Sequence, residues 1–499
     1  MSSVPLFTAL LTACMGVVRL VLHLWEWKQL NDKFGCEMPP MCPSKDPLGI
    51  CDLLELLQAD KQGHVLKTLE HRLERTRSQE GRNVSTFCIR QIGQVNGFTC
   101  DPMNVKATLA TGFRDFDIGM ARVGDLSPLL GTEFVSERED WAHARALLRP
   151  LFNPEYTTNL GMDERHVQNA MRTLPVVSDN WTAPVNIQAL FLNLTMDTAT
   201  EFLFGESVQS QLASVEESAS VEERTPSNDF AYHFDRAQWY CAGRIGLEKL
   251  YWILGGGDFR NSCHRVHAFV DRTVHSAQQK QRQGKDGNSL LLAIAEMCDD
   301  PAKLRSHLLD LLFAARDTTA SLLGWAKLRH AIFTEIGSYK ELQKITPTAL
   351  QHCKYLQYFL KEVLRLYPPV PLDHRCAVRD TLLPRGGGRD GTSPVLVRKG
   401  QNVMCHPHVL HRQTEIWGED AASFDPRRWA DHRPDWGYLP FNGGPRKCIG
   451  QHQAIIQASY VLVRLVQRFD KIEDVRNEKE IKSTMTLVSE PAGGATVWY

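Results

Sequence analysis

The sequence predicts a mainly α-helical protein with a small β region. Apolar residues recur at helical spacing over several long segments, of which residues 300–325 and 451–469 are the clearest. Residues 386–391 instead form a glycine-rich stretch that is typical of a turn between strands. The chain opens with residues 4–25, which are mostly apolar and about as long as a bilayer is thick.

Length and charge limit the possible functions. The chain has 499 residues, of which 43% are hydrophobic, so it can bury a large core. Its formal net charge of -1 leaves no basic excess for a phosphate backbone, and nucleic acid is therefore not an expected partner. The chain has 13 cysteines and lacks a C-x-x-C pair, which disfavours a disulfide framework, a zinc ribbon and an iron–sulfur site. We expect the catalytic part to be cytosolic and reduced.

The N-terminal apolar stretch predicts a single-pass signal anchor. Arg19 and His23 interrupt residues 4–25, and an alternative is a buried or interfacial helix. Lys28 and Lys33 follow the stretch, and positive charge on that side predicts that the downstream chain lies in the cytoplasm.

A rigid loop near the C-terminus presents one cysteine. Residues 441–450 (FNGGPRKCIG) contain glycines and a proline that forbid a regular helix or strand, so the backbone turns tightly and leaves the Cys448 thiol exposed. The helix predicted at 451–469 follows directly. Its N-terminus and Arg446 both favour a thiolate, which can ligate a metal or attack an electrophile. The alternative is a cysteine that only fills space as a small hydrophobic residue.

This loop resembles the haem-binding loop of the cytochrome P450 family, F-x-x-G-x-R-x-C-x-G. The resemblance implies that Cys448 is the axial thiolate ligand of haem iron. It also implies that Phe441 packs beside the sulfur and that Arg446 reaches a haem propionate.

The long helix predicted from Asp300-Pro301 contains a polar sequence, AARDTT, at residues 314–319. It resembles the family motif A-G-x-D-T-T, in which the acid and the first threonine deliver protons to the bound dioxygen. The resemblance therefore assigns catalytic roles to Asp317 and Thr318. The alternative is that the threonine hydroxyls only bond back to the preceding helical turn. Ala315 replaces the usual glycine, which reduces the local widening of the helix.

Two further motifs match the family. Trp141 and Arg145 share a helix face. Although such a pair is often only a surface pair, the resemblance implies that both bind a haem propionate.

Glu362 and Arg365 fit the family motif E-x-x-R, and the resemblance implies that Arg428, from F-x-P-x-R-W, completes their buried ion pair. These three residues have a structural role, since they set the haem loop in place. A similar but weaker match makes Arg375 a further propionate ligand. Arg427 stands where the family usually has glutamate.

Helices are also predicted at 187–204, 229–254 and 260–281, with an acidic, serine-rich loop at 214–229. In the resembled family this part covers the substrate channel. The aromatic residues that could line such a channel, or could equally belong to the core, are Phe230, Tyr232, Phe234 and Trp239.

Two other patterns are rejected as functional sites. Residues 386–391 fit G-x-G-x-x-G, but no helix follows them, so we read a turn and not a dinucleotide site. Cys405, His406, His408 and His411 suggest zinc, but their spacing fits no common structural site.

The resemblance covers residues 50–499 and implies the cytochrome P450 fold with an N-terminal transmembrane anchor. We assign residues 1–27 to the anchor, 28–50 to a proline-rich linker and 51–499 to a haem-thiolate monooxygenase domain. The β-rich parts are expected around residues 50–115 and 370–410.

Residues 109–116, 355–358, 383–394 and 436–440 resemble the fungal alkane and fatty-acid hydroxylases, the branch that this chain resembles most. The resemblance implies a monooxygenase of the endoplasmic reticulum membrane, with haem as its cofactor and a small lipophilic, aliphatic substrate. The chain carries no recognisable flavin or nicotinamide site, so its expected electron donor is the membrane-bound NADPH-cytochrome P450 reductase.

One departure from the family keeps other functions open. After Trp325 the chain is short of the family spacing by about two to three helical turns. A tolerated deletion, a damaged gene copy and an error in the coding sequence all remain open. The alternatives to a monooxygenase are an inactive, membrane-tethered relic and a haem-thiolate isomerase, and the intact Asp317-Thr318 pair argues against the isomerase.

Overall fold

The computed structural model describes residues 28–29, 31–132, 138–153, 159–174, 182–213, 226–282, 290–327, 345–469, 473–474, 482–492 and 496–498. Three features of the sequence lie outside the described residues: the expected anchor at 1–27, most of the acidic loop, and the segment 328–344 where the chain is shortened. Within the described ranges, no helix is both long and apolar enough to cross a bilayer.

The protein is mainly helical, as the sequence predicts. Its α-helices, numbered in chain order, are α1 (Ile50–Gln62), α2 (Val65–Glu80), α3 (Pro102–Lys106), α4 (Met120–Leu130), α5 (Arg138–Leu148), α6 (Leu160–Arg172), α7 (Ile187–Phe204), α8 (Ser210–Ala213), α9 (Pro226–Gly246), α10 (Gly257–Arg282), α11 (Leu290–Ala295), α12 (Pro301–Lys327), α13 (Pro347–His352), α14 (Lys354–Leu366), α15 (Pro407–Leu410), α16 (Thr414–Trp417) and α17 (Gln451–Arg468).

The strands are short and form small sheets. They are β1 (Thr86–Gln91), β2 (Gln94–Thr99), β3 (Phe116–Asp117), β4 (Val185–Asn186), β5 (Asp373–Ala377), β6 (Thr381–Gly387), β7 (Ser393–Val397), β8 (Asn402–Cys405), β9 (Glu473–Asp474), β10 (Ser483–Met485), β11 (Ser489–Pro491) and β12 (Thr496–Trp498). A five-stranded sheet has the order β1-β2-β8-β5-β3, and the others are β4-β12-β9 and the pairs β6-β7 and β10-β11.

A β-rich unit takes its described residues from the segments up to Leu53, His71–Phe116 and His374–Cys405. Strands β1 and β2 form an antiparallel hairpin, and β2 pairs with β8 in parallel. The glycine-rich stretch at 386–391 lies where β6 turns into antiparallel β7, so the prediction of a turn is confirmed. The β-rich parts expected around residues 50–115 and 370–410 are confirmed by strands β1 and β2 in the first range and β5 to β8 in the second, whereas helices α1 and α2 occupy most of residues 50–80.

A helical unit contains the described residues of Leu54–Glu70, Asp117–Asp373 and His406–Tyr499. Helix α12 runs through its core and packs against α7. The predicted start of this helix is confirmed, and Asp300 is its N-cap, since Asp300 Oδ1 accepts a hydrogen bond from the Ala302 amide at 2.9 Å. The apolar positions that set the helical period, including Leu308, Leu312 and Trp325, are fully buried.

The predicted helix boundaries hold for α7, α10 and α17 to within a few residues. The helix predicted at 229–254 is shorter than expected. Helix α9 ends at Gly246, and a separate 3₁₀ turn occupies Glu248–Ile253. Glycine at the break lowers helix propensity and explains the early end.

Candidate functional site

The cysteine loop is an irregular turn that leads into α17. One backbone bond closes it, from the Cys448 amide to the Phe441 carbonyl at 3.0 Å. Asn442 (φ 62°) and Gly444 (φ 67°) take the left-handed conformation, which asparagine and glycine tolerate best. The Asn442 side chain also donates to Asp373 Oδ2 at 2.7 Å. The local sequence thus builds a loop of fixed shape that ends with the thiol.

Cys448 is accessible although protein surrounds it on most sides. Its side chain is exposed, yet burial is the main influence on the pKa of its thiol and raises it. The Gly450 backbone N–H and the positive charges of Arg145 and Lys447 act against burial and lower the pKa.

Trp141 and Arg145 of α5 both contact the cysteine loop. The Trp141 ring is 8% exposed, and the Arg446 guanidinium lies 4.5 Å from its centroid. Arg145 lies 5.7 Å from the same ring and donates from Nη2 to the Lys447 carbonyl at 2.8 Å. The structure therefore brings Trp141, Arg145, Arg446 and Cys448 together, as the motifs require.

The charge of Arg446 is balanced by a carboxylate that the sequence analysis missed. Arg446 Nη2 lies 2.9 Å from Asp117 Oδ1, and both side chains are almost fully buried. The expectation that Arg446 supports the thiolate is therefore not met, because its positive charge is paired with Asp117 and the charges that lower the pKa of Cys448 come from Arg145 and Lys447. Asp117 lies 329 residues away in sequence, and no local pattern marks it.

The polar sequence of α12 lies in a buried charge cluster. Arg316 is 4% exposed and pairs with Asp235 of α9, and its Nη1 also lies 3.3 Å from Asp317 Oδ1. Burial raises the pKa of Asp317 to about 6, although Arg316 opposes the shift. An acid that titrates close to neutral pH is suited to donating and recovering protons.

Thr318 and two alanines form the accessible part of the same helix. Ala314 and Ala315 are exposed in the middle of α12 and Thr318 is half-buried, whereas Arg316 and Asp317 are buried. The Thr318 hydroxyl donates to the Ala314 carbonyl at 2.7 Å, which is the predicted alternative of a bond to the preceding helical turn. Its oxygen can still accept a hydrogen bond from another donor.

Glu362 and Arg365 of α14 form a fully buried, bidentate ion pair. Arg365 Nε donates to Glu362 Oε2 at 2.9 Å and Arg365 Nη2 to Oε1 at 2.8 Å. Arg428 Nε, the Trp429 indole and the Asp425 amide also donate to the same carboxylate, at 3.0, 3.0 and 2.9 Å. The carboxylate therefore accepts five hydrogen bonds from two segments of chain, α14 and residues 425–429.

The remaining predicted residues are placed as follows. Arg375 lies on β5 in the β-rich unit, is 6% exposed and donates to its neighbour's carbonyl, so its role as a propionate ligand stays a prediction. Phe230 and Phe234 belong to the core, whereas Tyr232 and Trp239 are 45% and 56% exposed.

The histidines that suggested zinc have other partners. His408 Nε2 lies 2.6 Å from Glu70 Oε1. His411 bonds to the Arg365 carbonyl and the Leu439 amide. Among the described residues, no group of three or more His, Cys, Asp or Glu side chains could hold a metal ion.

Comparison with known proteins agrees with this geometry. The sequence profile described as Cytochrome P450 matches residues 86–496. The chain belongs to the cytochrome P450 family. Cytochrome P450 monooxygenase g430 of a Fusarium species is 41% identical over 483 residues, which are 92% of this chain and 84% of that protein. Cytochrome P450 monooxygenase alt2 of Alternaria solani is 38% identical over 95% of each chain.

Other matches extend the comparison to yeasts and to a solved structure. Cytochrome P450 52A4 of Candida maltosa is 40% identical over 81% of this P450 and 79% of that protein. The crystal structure of a cytochrome P450DA heme domain, 20% identical, aligns with a TM-score of 0.73 and covers 93% of this chain and 98% of that chain. The predicted P450 fold is therefore confirmed.

The residues present fit haem, the cofactor of this family. The accessible Cys448 thiol would ligate the haem iron, and Arg145 beside Trp141 would offer positive charge for a propionate. Arg446 is paired with Asp117, and its role as a propionate ligand stays a prediction. Haem held by the Cys448 thiolate supplies the iron centre at which a P450 monooxygenase activates dioxygen. The buried Glu362 network holds the segments around the loop, and Asp317 with Thr318 can hold and pass a proton.

Proposed function

We propose that this P450 hydroxylates an aliphatic substrate at or near the end of an alkyl chain. The substrate is a fatty acid, an alkane or an alkyl-bearing secondary metabolite, and the electrons come from a membrane-bound NADPH-cytochrome P450 reductase. The observation that carries the proposal is the accessible surface beside Asp317, where the exposed side chains of α12 are the methyl groups of Ala314 and Ala315. Methyl groups offer no hydrogen bond to a polar substrate and suit an alkyl chain.

The sequence resemblance supports the same substrate class. Four segments, residues 109–116, 355–358, 383–394 and 436–440, resemble the fungal alkane and fatty-acid hydroxylases. A terminal methyl has a stronger C–H bond than an internal methylene. An enzyme that oxidises chain ends must therefore select by position, with an extended chain held so that only its tip reaches the reactive centre.

A series of saturated fatty acids and alkanes of increasing length tests the proposal. Each buried methylene contributes about 0.8 kcal/mol, so we expect affinity to rise by about four-fold per methylene until the channel is full. Substrate-induced spectral shifts give the affinities, and product analysis with reductase and NADPH gives the position of the hydroxyl group.

Three results would change the proposal in different ways. Mainly internal hydroxylation, or turnover of polycyclic compounds alone, would contradict a linear channel. Product formation without dioxygen consumption would favour the isomerase. Failure to bind haem would favour the inactive relic, which the shortened segment after Trp325 keeps as an alternative.

Proton delivery by Asp317 and Thr318 is part of the proposal. We expect Thr318→Ala to bind haem and substrate normally, while product formed per NADPH falls by about ten-fold and hydrogen peroxide rises, since the proton donor chain is interrupted. The matched control is Thr318→Ser, which keeps the hydroxyl and should stay coupled. Equal coupling in the alanine and serine variants would remove Thr318 from the mechanism.

We also propose that residues 1–27 anchor the protein in the endoplasmic reticulum membrane with its catalytic domain in the cytosol. The apolar run at 4–25 and the following lysines support this. Deletion of residues 1–27 should move the protein from the membrane fraction to the soluble fraction with an unchanged haem spectrum. A truncated protein that stays with membranes would mean that the anchor is not the sole attachment.

A further inference from the structure

His411 lies fully buried between α14 and the segment that leads into the cysteine loop. Its Nδ1 is 3.1 Å from the Arg365 carbonyl oxygen, and its Nε2 is 2.8 Å from the Leu439 amide nitrogen. A carbonyl only accepts and an amide N–H only donates, so Nδ1 carries the proton and Nε2 accepts. Both ring nitrogens are used, and the tautomer is fixed by its partners.

We propose that His411 is a positioning residue for the haem-ligating loop, which ties the backbone at Leu439 to the Glu362–Arg365 ion pair. This inference rests on the haem-thiolate chemistry of the family and is independent of the proposed substrate.

The connection to the ion pair is made in both directions. Arg365 Nη1 donates to the His411 carbonyl at 2.8 Å, while the His411 ring donates to the Arg365 carbonyl. Arg365 is itself held by Glu362 through two bonds. The His411 ring is therefore tied to the Arg365 backbone, and the His411 backbone is tied to the guanidinium of the ion pair.

The connection to the loop is equally short. Leu439 lies two residues before Phe441, and its carbonyl accepts from the Asn442 amide at 3.3 Å. Phe441 in turn accepts the backbone bond from Cys448 that closes the loop. A shift of the Leu439 amide is thus passed on to the residue that presents the thiol.

The surroundings keep the ring neutral. Burial, with the positive charges of Arg365 and Arg412 and the neighbouring His408, lowers the pKa of His411 well below its ordinary value, and the bond to the Arg365 carbonyl only partly opposes this. The Tyr438 ring lies 5.3 Å away and the Trp417 ring 6.4 Å away. Neither of these rings is a cation or an anion near neutral pH, so Nε2 remains an acceptor for Leu439.

Two amide substitutions separate the two bonds. The oxygen of glutamine in His411→Gln reaches the place of Nε2 and can accept from Leu439, whereas the shorter side chain in His411→Asn reaches only the Arg365 carbonyl. Loss of a buried acceptor shifts an equilibrium by about ten-fold. We therefore expect the ratio of thiolate-ligated to thiolate-free haem to fall by about ten-fold in the asparagine variant and to be largely preserved in the glutamine variant.

The measurements are the Soret band of the reduced, carbon monoxide-bound protein and the haem reduction potential, with thermal unfolding followed in parallel. The control is His408→Gln, a buried histidine three residues away that pairs with Glu70 and has no bond to Leu439. We expect it to lower thermal stability while leaving the Soret band and the potential unchanged.

An asparagine variant with the spectrum and potential of the wild type would overturn the proposal. So would equal spectral loss in the glutamine and asparagine variants, which would mean that ring shape and not the Leu439 bond matters. If neither variant folds, the bond between the Leu439 amide and His411 is tested in the wild-type protein, by amide hydrogen exchange of the peptide that contains Leu439. Slow exchange, as for the helix of Arg365, supports the bond, and fast exchange contradicts it.

Discussion

Cys448→Ala is expected to abolish the thiolate spectrum and all oxygenation. The loop presents one sulfur, and its neighbours Gly450, Lys447 and Arg145 supply no side chain that could replace a thiolate ligand. The reduced, carbon monoxide-bound protein should lack the red-shifted Soret band, and no product should form with reductase and NADPH. Thermal unfolding of the haem-free protein should change little, because the Cys448 side chain is exposed and does not lie in the packed core.

The control for this experiment is Cys51→Ala. Cys51 is also exposed, but it lies in the first turn of α1. We expect the haem spectrum and the turnover of the Cys51→Ala variant to match those of the wild type. Turnover retained in Cys448→Ala would contradict the assignment of the ligand.

The structure changes the explanation of how the thiolate arises. The sequence suggested that the helix N-terminus and Arg446 lower the pKa of Cys448, whereas burial raises it. A helix dipole contributes about 0.3–1 kcal/mol and acts mainly within the first turn, which Cys448 precedes. Desolvation of a buried thiol can outweigh that contribution. Since Asp117 pairs with Arg446, coordination to a haem iron would add to Arg145 and Lys447 as a cause of deprotonation.

The motifs were predictable because each one is short and has a fixed geometry. A four-residue spacing places Trp141 and Arg145 on one helix face, and a three-residue spacing lets Glu362 and Arg365 pair within one turn. Glycine and asparagine mark the loop before Cys448 because its backbone needs positive φ. The fold class followed from the same local patterns.

The missed residues are single positions that act over long sequence distances. Asp117 and Asp235 belong to no sequence motif. Only the folded chain shows that Asp117 pairs with Arg446 and that Asp235 pairs with Arg316. In the sequence, His411 stands out only as one of the residues that suggest zinc. Its spacing from them does not show that its ring bonds to the backbone of Arg365 and Leu439. A buried polar side chain needs a partner, yet the sequence does not say which one.

Glu362→Gln is expected to have the second largest effect, on folding and haem retention. The carboxylate accepts five hydrogen bonds from Arg365, Arg428, Trp429 and the Asp425 amide. The amide removes the negative charge and turns an –NH₂ group toward donors. The fully buried Arg365 guanidinium then loses its ion-pair partner, and Arg428 keeps only Asp420 among the described residues. Breaking a buried pair in this way costs about 3–5 kcal/mol.

Denaturant unfolding of the haem-free protein and the yield of haem-loaded protein measure this loss. The matched control is Arg427→Ala, one residue from Arg428. The Arg427 side chain is 81% exposed and pairs with the neighbouring Asp425, and an exposed pair contributes about 1 kcal/mol or less. If Glu362→Gln and Arg427→Ala have the same free energy of unfolding, the cost of desolvating the buried charges must equal the electrostatic attraction between them. The haem loop would then have to be held by its own backbone bonds and by His411.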